Sequence, residues 1–336
     1  MKVLSLFDGM ACGMIAMQFA GMEVESYDAY EIDKYAIKTA QHNFPMIKEH
    51  GDVFEADFTQ YEGVDFLIGG SPCTYWSIAQ TKNRETVASG MGWELFSQYV
   101  RALHEAKPKY FIYENNKSMS KDIRASIDKT FGFEAVLINS ALVSAQNRQR
   151  LYWVGKRNDD GTYSKVMVDQ PEDRGILLRD ILESGIAWHE KSYCITATEY
   201  KGSNPQQTLT KHRRTMVAEP VEPRCVAQCG RYPENPKLRV AGLPTEQMFE
   251  AREDGKTHQV YEVRNGLITI KGKQYPIKLK DGYYIIRKLT VRECMRLQTV
   301  PEWYEFPVSD SQAYKMLGNG WTCEVIAHIL KSLKEA

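Results

Sequence analysis

Cys73 follows Pro72 in the segment GGSPCTYWS, directly after the apolar run VDFLIGG. A cysteine in this place could be a buried structural thiol, half of a disulfide, a metal ligand or a nucleophile. Because proline fixes its own φ and restricts the backbone of Ser71, the pair would aim the next side chain in one direction. A thiol that only fills a core needs no such neighbours, so the segment leaves a reactive and a structural role equally open.

A carboxylate and two guanidinium groups accompany this thiol at the ends of other apolar runs. Glu114 ends the run YFIYE, and Arg148 and Arg150 flank the start of the run RLYWVG. Side chains two residues apart in an extended chain face the same side, so both arginines could enter one cleft. Taken alone, two surface arginines on a strand edge are the simpler interpretation.

The elements that must position these residues alternate between strands and helices. Residues 1–155 contain short apolar runs separated by helix-length segments, including 33–44 and 121–131. This alternation predicts an α/β domain with a doubly wound, mostly parallel sheet, whose strand ends would bring the thiol and the carboxylate together. Residues 156–286 predict a smaller, irregular β-containing domain. Helical periodicity returns in residues 287–336, which we expect to pack back onto the first domain.

The composition, 43% hydrophobic and 26% charged, is that of an ordinary globular protein. The net charge is zero, but residues 1–70 hold four lysines against twelve acidic residues, and residues 196–240 hold eight basic residues against four acidic ones. A polyanion should therefore meet the second half, and the first half suits a cationic or neutral ligand. No apolar run is long enough for a membrane span or a signal peptide, so we expect neither a membrane nor a secreted protein.

Seven cysteines, an odd number without dense spacing, indicate a reducing compartment rather than a disulfide framework. Cys225 and Cys229 are four residues apart with no well-spaced His or Cys partners, which makes a poor zinc site. No metal is predicted.

The segment LFDGMACGM follows the first apolar run and opens a helix. Gly9 and Gly13 would let the backbone turn sharply and approach a ligand, although a tight turn with no ligand remains open because the spacing is not GxGxxG. Glu31 follows the second strand, where ribose hydroxyls bind in such folds, and Asp52 follows the third, near the place of an adenine amino group. These strand ends fit a nucleoside, and the acidic balance suits a sulfonium cation.

Together these segments resemble the cytosine-5 DNA methyltransferase family over most of the chain. The matching segments occur in the family's order and are LFDGMACG, GGSPCTYWS, ENN, QNRQR, RKLTVRECMRLQTVPEWY and YKMLGNGW. The first 155 residues look closest to the eukaryotic de novo methyltransferases, whereas the uninterrupted layout and the final GN are more like bacterial or phage enzymes. Asn116 departs from the family, which has valine there.

The resemblance implies a Rossmann-like methyltransferase that moves a methyl group from S-adenosylmethionine to C5 of a cytosine flipped out of duplex DNA. Cys73 would add to C6, Glu114 would contact N3 and the exocyclic amine, Arg150 would hold O2, and Arg148 would orient the pocket. The implied cofactor residues are Phe7, Asp8, Gly9, Gly13, Glu31, Ile32, Asp52, Val53, Asn319, Gly320 and Trp321. The implied substrate-binding residues are Ser71, Pro72, Ser77, Asn115, Lys211, Arg213 and Arg214.

The resemblance also assigns two mobile or variable regions. Thr74–Trp93 would be the loop that closes over the flipped base. Residues 156–286 would be the target-recognition domain, in which the basic stretch KGSNPQQTLTKHRRTMV would contact phosphates, unless it is merely solvated. The extra segment near 258–286 could extend the recognition surface or form a protein contact.

Three alternatives can be weighed on sequence. A transfer-RNA cytosine-5 methyltransferase uses nearly the same motifs but has a smaller insert before LTVRE. An amino-group methyltransferase would need an Asp/Asn-Pro-Pro-aromatic tetrapeptide where SPCT stands. A non-catalytic relative that only binds DNA would tolerate loss of Cys73. The setting implied is the cytoplasm of a bacterium or phage-infected cell, with no obligate protein partner; a cognate restriction endonuclease, encoded separately, could accompany the enzyme.

Overall fold

The computed structural model describes residues 1–78, 84–202, 205–211, 213–221, 227–228, 248–251 and 257–335. Its first β-sheet is formed by β1 (Lys2–Leu6), β2 (Ser26–Tyr30), β3 (Lys48–Glu49), β4 (Phe66–Gly69), β5 (Tyr110–Asn116), β6 (Val136–Asn139), β7 (Gln149–Arg157) and β8 (Tyr163–Lys165). The strand order is β3-β2-β1-β4-β5-β7-β6, with β8 beside β7. β1 to β5 pair in parallel, and β7 runs antiparallel to β5 and β6. The order reverses between β1 and β4, which is where doubly wound sheets bind ligands.

Helices cover both faces of this sheet, which confirms the predicted doubly wound α/β class. The helices are α1 (Cys12–Phe19), α2 (Lys34–Asn43), α3 (Met91–Ala106), α4 (Lys121–Phe131), α5 (Pro205–Lys211), α6 (Val291–Leu297), α7 (Asp310–Asn319) and α8 (Cys323–Glu335). α3 and α4 contribute to the core on one face, and α1, α2 and α6 to α8 contribute to the core on the other. The limits of α4 follow from its caps, because Ser120 Oγ accepts a hydrogen bond from Ile123 N at 3.2 Å and Gly132 ends the helix with φ +81°.

The C-terminal helix α8 packs against α1 at the first sheet. Its apolar residues Val325, Ile329 and Leu333 are buried in the same core as Ile15 of α1. Each buried side chain of this size contributes about 1.5–3 kcal/mol. The chain after the second sheet therefore returns to the domain that carries the predicted active site.

The first sheet extends beyond residue 155, where its domain was expected to end. β7 continues to Arg157, and β8 pairs with it through Lys165 after a turn at Gly161. The hairpin is closed because Asn158 donates two hydrogen bonds across that turn, from its N–H to the Thr162 carbonyl and from Nδ2 to Thr162 Oγ1. The segment that follows β8 leads to the second sheet.

The second sheet is antiparallel and lies in the predicted β-containing region. Its strands are β9 (Met216–Val221), β10 (Ala227–Gln228), β11 (Met248–Ala251), β12 (Thr257–Arg264), β13 (Leu267–Ile270), β14 (Lys273–Pro276) and β15 (Gly282–Lys288). Tight turns with positive φ at Asn265-Gly266 and Lys271-Gly272 join β12, β13 and β14. Within the described residues, no helix is both long and apolar enough to cross a membrane.

Candidate active site

The Pro-Cys segment is held against β5 at the carboxyl end of β4. Gly70 passes so close to Glu114 that a Cβ atom would lie 2.8 Å from the Glu114 carbonyl oxygen. Ser71 Oγ shares a hydrogen bond of 2.6 Å with Tyr113 OH, and Asn115 Nδ2 donates to the Ser71 carbonyl at 3.1 Å. Glycine is therefore required for close approach, and the predicted substrate residues Ser71 and Asn115 join the segment to β5.

Cys73 itself begins a single 3-10 turn, Cys73–Tyr75, four residues after β4 ends. The side chain of Cys73 lies outside the described residues. Its neighbours Pro72 and Thr74 line a cavity of about 210 Å³ that also contains Glu114. The backbone thus brings the predicted nucleophile to the same edge of the sheet as the predicted carboxylate.

Glu114 is buried and holds two partners at once. Its Oε1 forms an ion pair with Arg150 Nε at 3.0 Å, and its Oε2 accepts a hydrogen bond from Trp321 Nε1 at 2.9 Å. Arg150 belongs to β7 and Trp321 follows α7, so two segments outside β5 fix one carboxylate. The expectation that Glu114 and Arg150 share a cleft agrees with this geometry.

Arg148 enters the same cavity but is occupied by internal contacts. Its Nη2 donates to the carbonyl oxygens of Gly318 and Gly320 at 3.2 and 2.7 Å, and its Nη1 donates to Cys194 Sγ and the Ile195 carbonyl, both at 3.3 Å. Only 3% of the residue is exposed. The guanidinium therefore connects β7 to α7 and to the segment before the second sheet, which fits an orienting role.

Most of the predicted cofactor residues line the cavity: Phe7, Asp8, Gly9, Glu31, Asn319, Gly320 and Trp321. Four do not, for separate reasons. Gly13 packs under Tyr27, whose hydroxyl would lie 2.6 Å from an added Cβ, and Val53 is buried. Asp52 caps a short turn by accepting from Phe54 N at 3.0 Å, and Ile32 is 74% exposed.

Sequence reasoning missed further lining residues, namely Cys12, Asp33, Ala36, Lys315 and Met316. Lys315 Nζ on α7 lies 2.6 Å from Asp33 Oδ2 at the start of α2. Asp33 is also the N-cap of α2, where its Oδ1 accepts a hydrogen bond from Tyr35 N at 3.0 Å. This ion pair joins the two ends of the chain beside the cavity.

The glycine turn also orients a carboxylate. Gly9 lines the cavity, and its N–H donates to Glu31 Oε2 at 2.9 Å. Glu31 Oε1 also accepts from the N–H groups of Ile32 and Asp33, both at 2.8 Å. Phe7, with φ 58°, is in the left-handed region, and backbone strain of this kind often marks a binding site.

Asp8 is the most unusual acid of the cavity. Its Oδ1 accepts hydrogen bonds of 2.6 Å from Ser5 Oγ and Tyr27 OH, while its buried Oδ2 has no hydrogen-bond partner among the described residues. Burial raises the pKa of Asp8 to about 6; the two hydrogen bonds oppose this change and the charge of Glu31 adds to it. Burial, with the charges of Asp8 and Glu31, raises the pKa of nearby Glu49 to about 8. A bound cation would relieve this accumulation of acids.

The predicted basic stretch lies on α5 and the chain after it. Lys211 and Arg213 are exposed, whereas Arg214 donates to Thr198 Oγ1 at 2.9 Å and to the Gly202 carbonyl, so its guanidinium is held by its own chain. This internal use weakens the expectation that Arg214 contacts DNA.

A second group of cations adjoins α5. Gln206 Nε2 donates to Tyr275 OH at 2.7 Å and joins α5 to β14. β14 and its flanks carry four exposed lysines, Lys271, Lys273, Lys278 and Lys280, which form no ion pair with a described residue. The extra β segment therefore enlarges the basic surface.

The loop expected at Thr74–Trp93 is shorter, because α3 begins at Met91. Residues 79–83 lie outside the described residues, as do Cys225 and Cys229. Before the gap, Ser77 is partly buried and Trp76 is fully buried, with Nε1 donating to Glu85 Oε2 at 3.0 Å. Trp76 is part of the buried core beneath α3, and Arg84 Nη2 donates to the Ser118 carbonyl at 2.7 Å, so the described parts of the loop on both sides of 79–83 are fastened to the domain.

Comparison with known proteins agrees with this arrangement. The profile described as C-5 cytosine-specific DNA methylase matches residues 1–335. Type II methyltransferase M1.ScrFI of Lactococcus lactis subsp. cremoris is 30% identical over 99% of this chain and 78% of its own length. Type II methyltransferase M.FnuDI of Fusobacterium nucleatum is 25% identical over 100% of this chain and 94% of its own.

Among solved structures, the Dnmt2 methyltransferase of S. pombe is similar with a TM-score of 0.58 and 16% identity, covering 99% of this chain and 98% of that one. At this identity the likeness concerns the fold alone. The profile match over nearly the whole chain carries the assignment. The chain is therefore a DNA cytosine-5 methyltransferase and belongs to the C-5 cytosine-specific DNA methylase family.

Proposed function

We propose that the protein transfers a methyl group from S-adenosylmethionine to C5 of a cytosine flipped out of duplex DNA, with Cys73 as the nucleophile. The observation that carries the proposal is Glu114, held between Arg150 and Trp321 beside the Pro-Cys turn. A base inserted at this edge of the sheet would meet a carboxyl group, a guanidinium group and the turn that bears the thiol.

The chemistry of these groups suits cytosine. The Cys73 thiolate would form a bond to C6 and push an electron pair toward C5, while Glu114 holds N3 and the exocyclic amine and Arg150 holds O2. C5 would then bond to the methyl group as the bond from that group to the sulfonium sulfur breaks and leaves its electron pair on sulfur. The C5 proton would leave to solvent water, and its bonding electrons would re-form the C5–C6 double bond and expel the Cys73 thiolate. Arg148 keeps the pocket in shape through its contacts with α7.

The cavity also suits the cofactor. The unpartnered Oδ2 of buried Asp8 and the neighbouring carboxylates favour a cationic ligand. Three backbone N–H groups fix the Glu31 carboxylate, which would accept hydrogen bonds from ribose hydroxyls. S-adenosylmethionine, when bound, supplies an electrophilic methyl group. Phe7, Gly9, Asn319, Gly320 and Trp321 would complete the site; Gly13, Ile32, Asp52 and Val53 would support it from outside the cavity wall.

Duplex DNA is the proposed substrate because the exposed basic residues at α5 lie next to those of β14 and its flanks. The hydrogen bond from Gln206 to Tyr275 joins the two elements. Phosphate contacts of this kind supply much of the affinity for DNA and position the protein on it. Pro72 and Ser77, on either side of the Cys73 turn, would border the flipped base. The bacterial relatives favour a bacterial or phage-infected cytoplasm as the setting, with a separately encoded endonuclease as an optional partner.

Transfer of tritium from labelled S-adenosylmethionine tests the proposal. Duplex DNA should acquire 5-methylcytosine, transfer RNA should not, and Cys73→Ser should abolish transfer. Cys294→Ala, which removes a buried thiol from α6, is the matched control and should stay active. Methylation of transfer RNA alone would refute the substrate, and full activity of Cys73→Ser would refute the mechanism. Bisulfite sequencing of a methylated plasmid then identifies the recognition sequence.

A further inference from the structure

Cys194 lies in the segment before the second sheet and touches both arginines of the active site. Its sulfur accepts a hydrogen bond from Arg148 Nη1 at 3.3 Å and a longer one from Arg150 Nη2 at 3.8 Å. The residue is a free, partly buried cysteine. None of the six family-like segments contains it, so its place between two guanidinium groups requires a separate explanation.

The contact completes a closed ring around the pocket. Glu114 joins Arg150 through an ion pair and Trp321 through a hydrogen bond. Arg148 donates to the backbone carbonyl just before Trp321 at 2.7 Å. Cys194 is the link that joins the two arginines and so closes the ring.

The charges of the ring favour a thiol at this position. Arg150 forms an ion pair with Glu114, whereas the Arg148 guanidinium donates to the Cys194 sulfur and to backbone carbonyls of described residues. Burial raises the pKa of the Cys194 thiol, but the positive charges of Arg148 and Arg150 and their hydrogen bonds outweigh burial, so the pKa falls below its ordinary value. A thiolate there supplies a second negative charge.

We propose that Cys194 is a positioning residue whose sulfur holds Arg148 and Arg150 in the orientation that serves the cytosine pocket. The inference rests on the proposed function, since that reaction defines the task of the arginines. Without the sulfur, Arg150 Nη2 loses a partner while Nε stays on Glu114, so the damage should be partial. The loss of one hydrogen bond to a charged group corresponds to about a tenfold fall in kcat.

Two substitutions and a control test this role. Cys194→Ala should lower kcat about tenfold with little change in Tm or in the KM for S-adenosylmethionine. Cys194→Ser should recover part of kcat because its hydroxyl can accept a hydrogen bond. Cys294→Ala, on α6, removes a fully buried thiol and should leave kcat unchanged. Wild-type kcat in Cys194→Ala, or a loss that follows Tm across all three variants, would overturn the inference.

The pH dependence of kcat distinguishes a positioning role of Cys194 from a role in packing alone. The charged groups facing the sulfur are Arg148 and Arg150. Glu114 lies beyond Arg150, and Glu199 on the following turn accepts a hydrogen bond from Thr196 N. Ionisation of Cys194 should add a step to the rise of wild-type kcat with pH. That step should be absent in Cys194→Ser, in which formation of the Cys73 thiolate still makes kcat depend on pH. Identical profiles for the two proteins would contradict the proposal.

A spectroscopic titration measures the ionisation of Cys194 without relying on methyl-transfer activity. Protein labelled with [13Cβ]cysteine, with the Cys194 signal assigned by its absence in Cys194→Ser, reports ionisation without methyl transfer. The signal should titrate below the range of free cysteine, and its midpoint should rise in Arg150→Gln. A midpoint at or above that of free cysteine overturns the inference. Wild-type protein that titrates as expected but methylates nothing would instead refute the proposed function.

Discussion

Arg150 Nε lies 3.0 Å from Glu114 Oε1, although the two residues belong to different strands. β5 and β7 are antiparallel and place Asn116 opposite Arg150, so the guanidinium reaches back along β5 to the carboxylate. The ion pair is almost removed from water, and a cytosine ring would have to bind at its edge. The proposed reaction therefore depends on a carboxylate that is already oriented before substrate arrives.

Replacing the carboxylate by an amide tests this orientation. Glu114→Gln keeps the size of the side chain but removes its charge and its ability to share a proton with cytosine. We expect kcat to fall by about a hundredfold or more, with the affinity for S-adenosylmethionine changed less than about threefold, since the nearest cofactor acids are on other strands. Single-turnover kinetics and calorimetry measure the two quantities, and kcat within twofold of wild type would contradict the role.

Gly70 should be essential because it lets the Pro-Cys segment approach β5 closely, and not because it allows an unusual backbone conformation. An added Cβ would lie 2.8 Å from the Glu114 carbonyl and 3.0 Å from Glu114 Oε2, so Gly70→Ala should displace the Pro-Cys turn and lower kcat about tenfold or more. Gly132→Ala is the control, because it costs about 1 kcal/mol of stability through its positive φ at the end of α4. Equal activity of the two variants, compared per folded molecule, would disprove the steric explanation.

Asp8 should make the stability of the cofactor-free protein depend on pH. Its pKa is raised from 3.8 to about 6, so the folded state holds the proton more tightly than the unfolded state. Ionisation of Asp8 therefore costs stability, beginning as pH rises through about 4 and complete above about 6.

Denaturant titrations of wild type and Asp8→Asn across this interval measure the effect. Wild type should lose up to about 3 kcal/mol more free energy of unfolding than the variant as the pH rises. The comparison is confined to pH below about 6, because the charge of Asp8 contributes to the raised pKa of Glu49 and its removal shifts that second titration. Parallel curves for the two proteins would show that Asp8 ionises without cost.

The exposed basic residues near α5 and β14 should contribute to DNA affinity by binding phosphates. The double variants Lys211→Gln/Arg213→Gln and Lys271→Gln/Lys273→Gln should each reduce the slope of log K against log salt concentration by about 0.9 for every phosphate that the variant no longer binds, with the recognition sequence unchanged. Lys107→Gln is the control, because Lys107 lies just before β5, at the end of the strands opposite to the active site, and pairs with Glu62. An unchanged slope in both double variants would place the DNA elsewhere.

Local patterns predicted the α/β sheet, the limits of α4 and the meeting of Glu114 with Arg150, because each depends on periodicity or on the ends of strands. Gly13 and Asp52 show the limit of such patterns. Both match cofactor motifs, yet Gly13 serves close packing against Tyr27 and Asp52 caps a turn. A motif identifies residue type and place along the chain, whereas the direction of a side chain depends on its neighbours in space.

Contacts between distant segments could not be predicted from the sequence. The ion pair of Asp33 with Lys315 and the hydrogen bond of Arg148 to Cys194 join parts of the chain that no short pattern connects. Both form only when α7 and the segment before the second sheet fold back onto the first domain. For the same reason Arg214, which composition assigned to DNA, is found bonded to Thr198.

Duplex DNA containing 5-fluorocytosine at the recognition site tests covalent catalysis most directly. Fluorine at C5 cannot leave as a proton does, so the bond between the cysteine and C6 cannot be released after methyl transfer. Incubation with S-adenosylmethionine followed by peptide mass spectrometry should find the DNA attached to the peptide that contains Cys73, and Cys73→Ser should form no adduct. Attachment to another cysteine such as Cys194, or methylation of ordinary DNA by Cys73→Ser, would contradict the central claim.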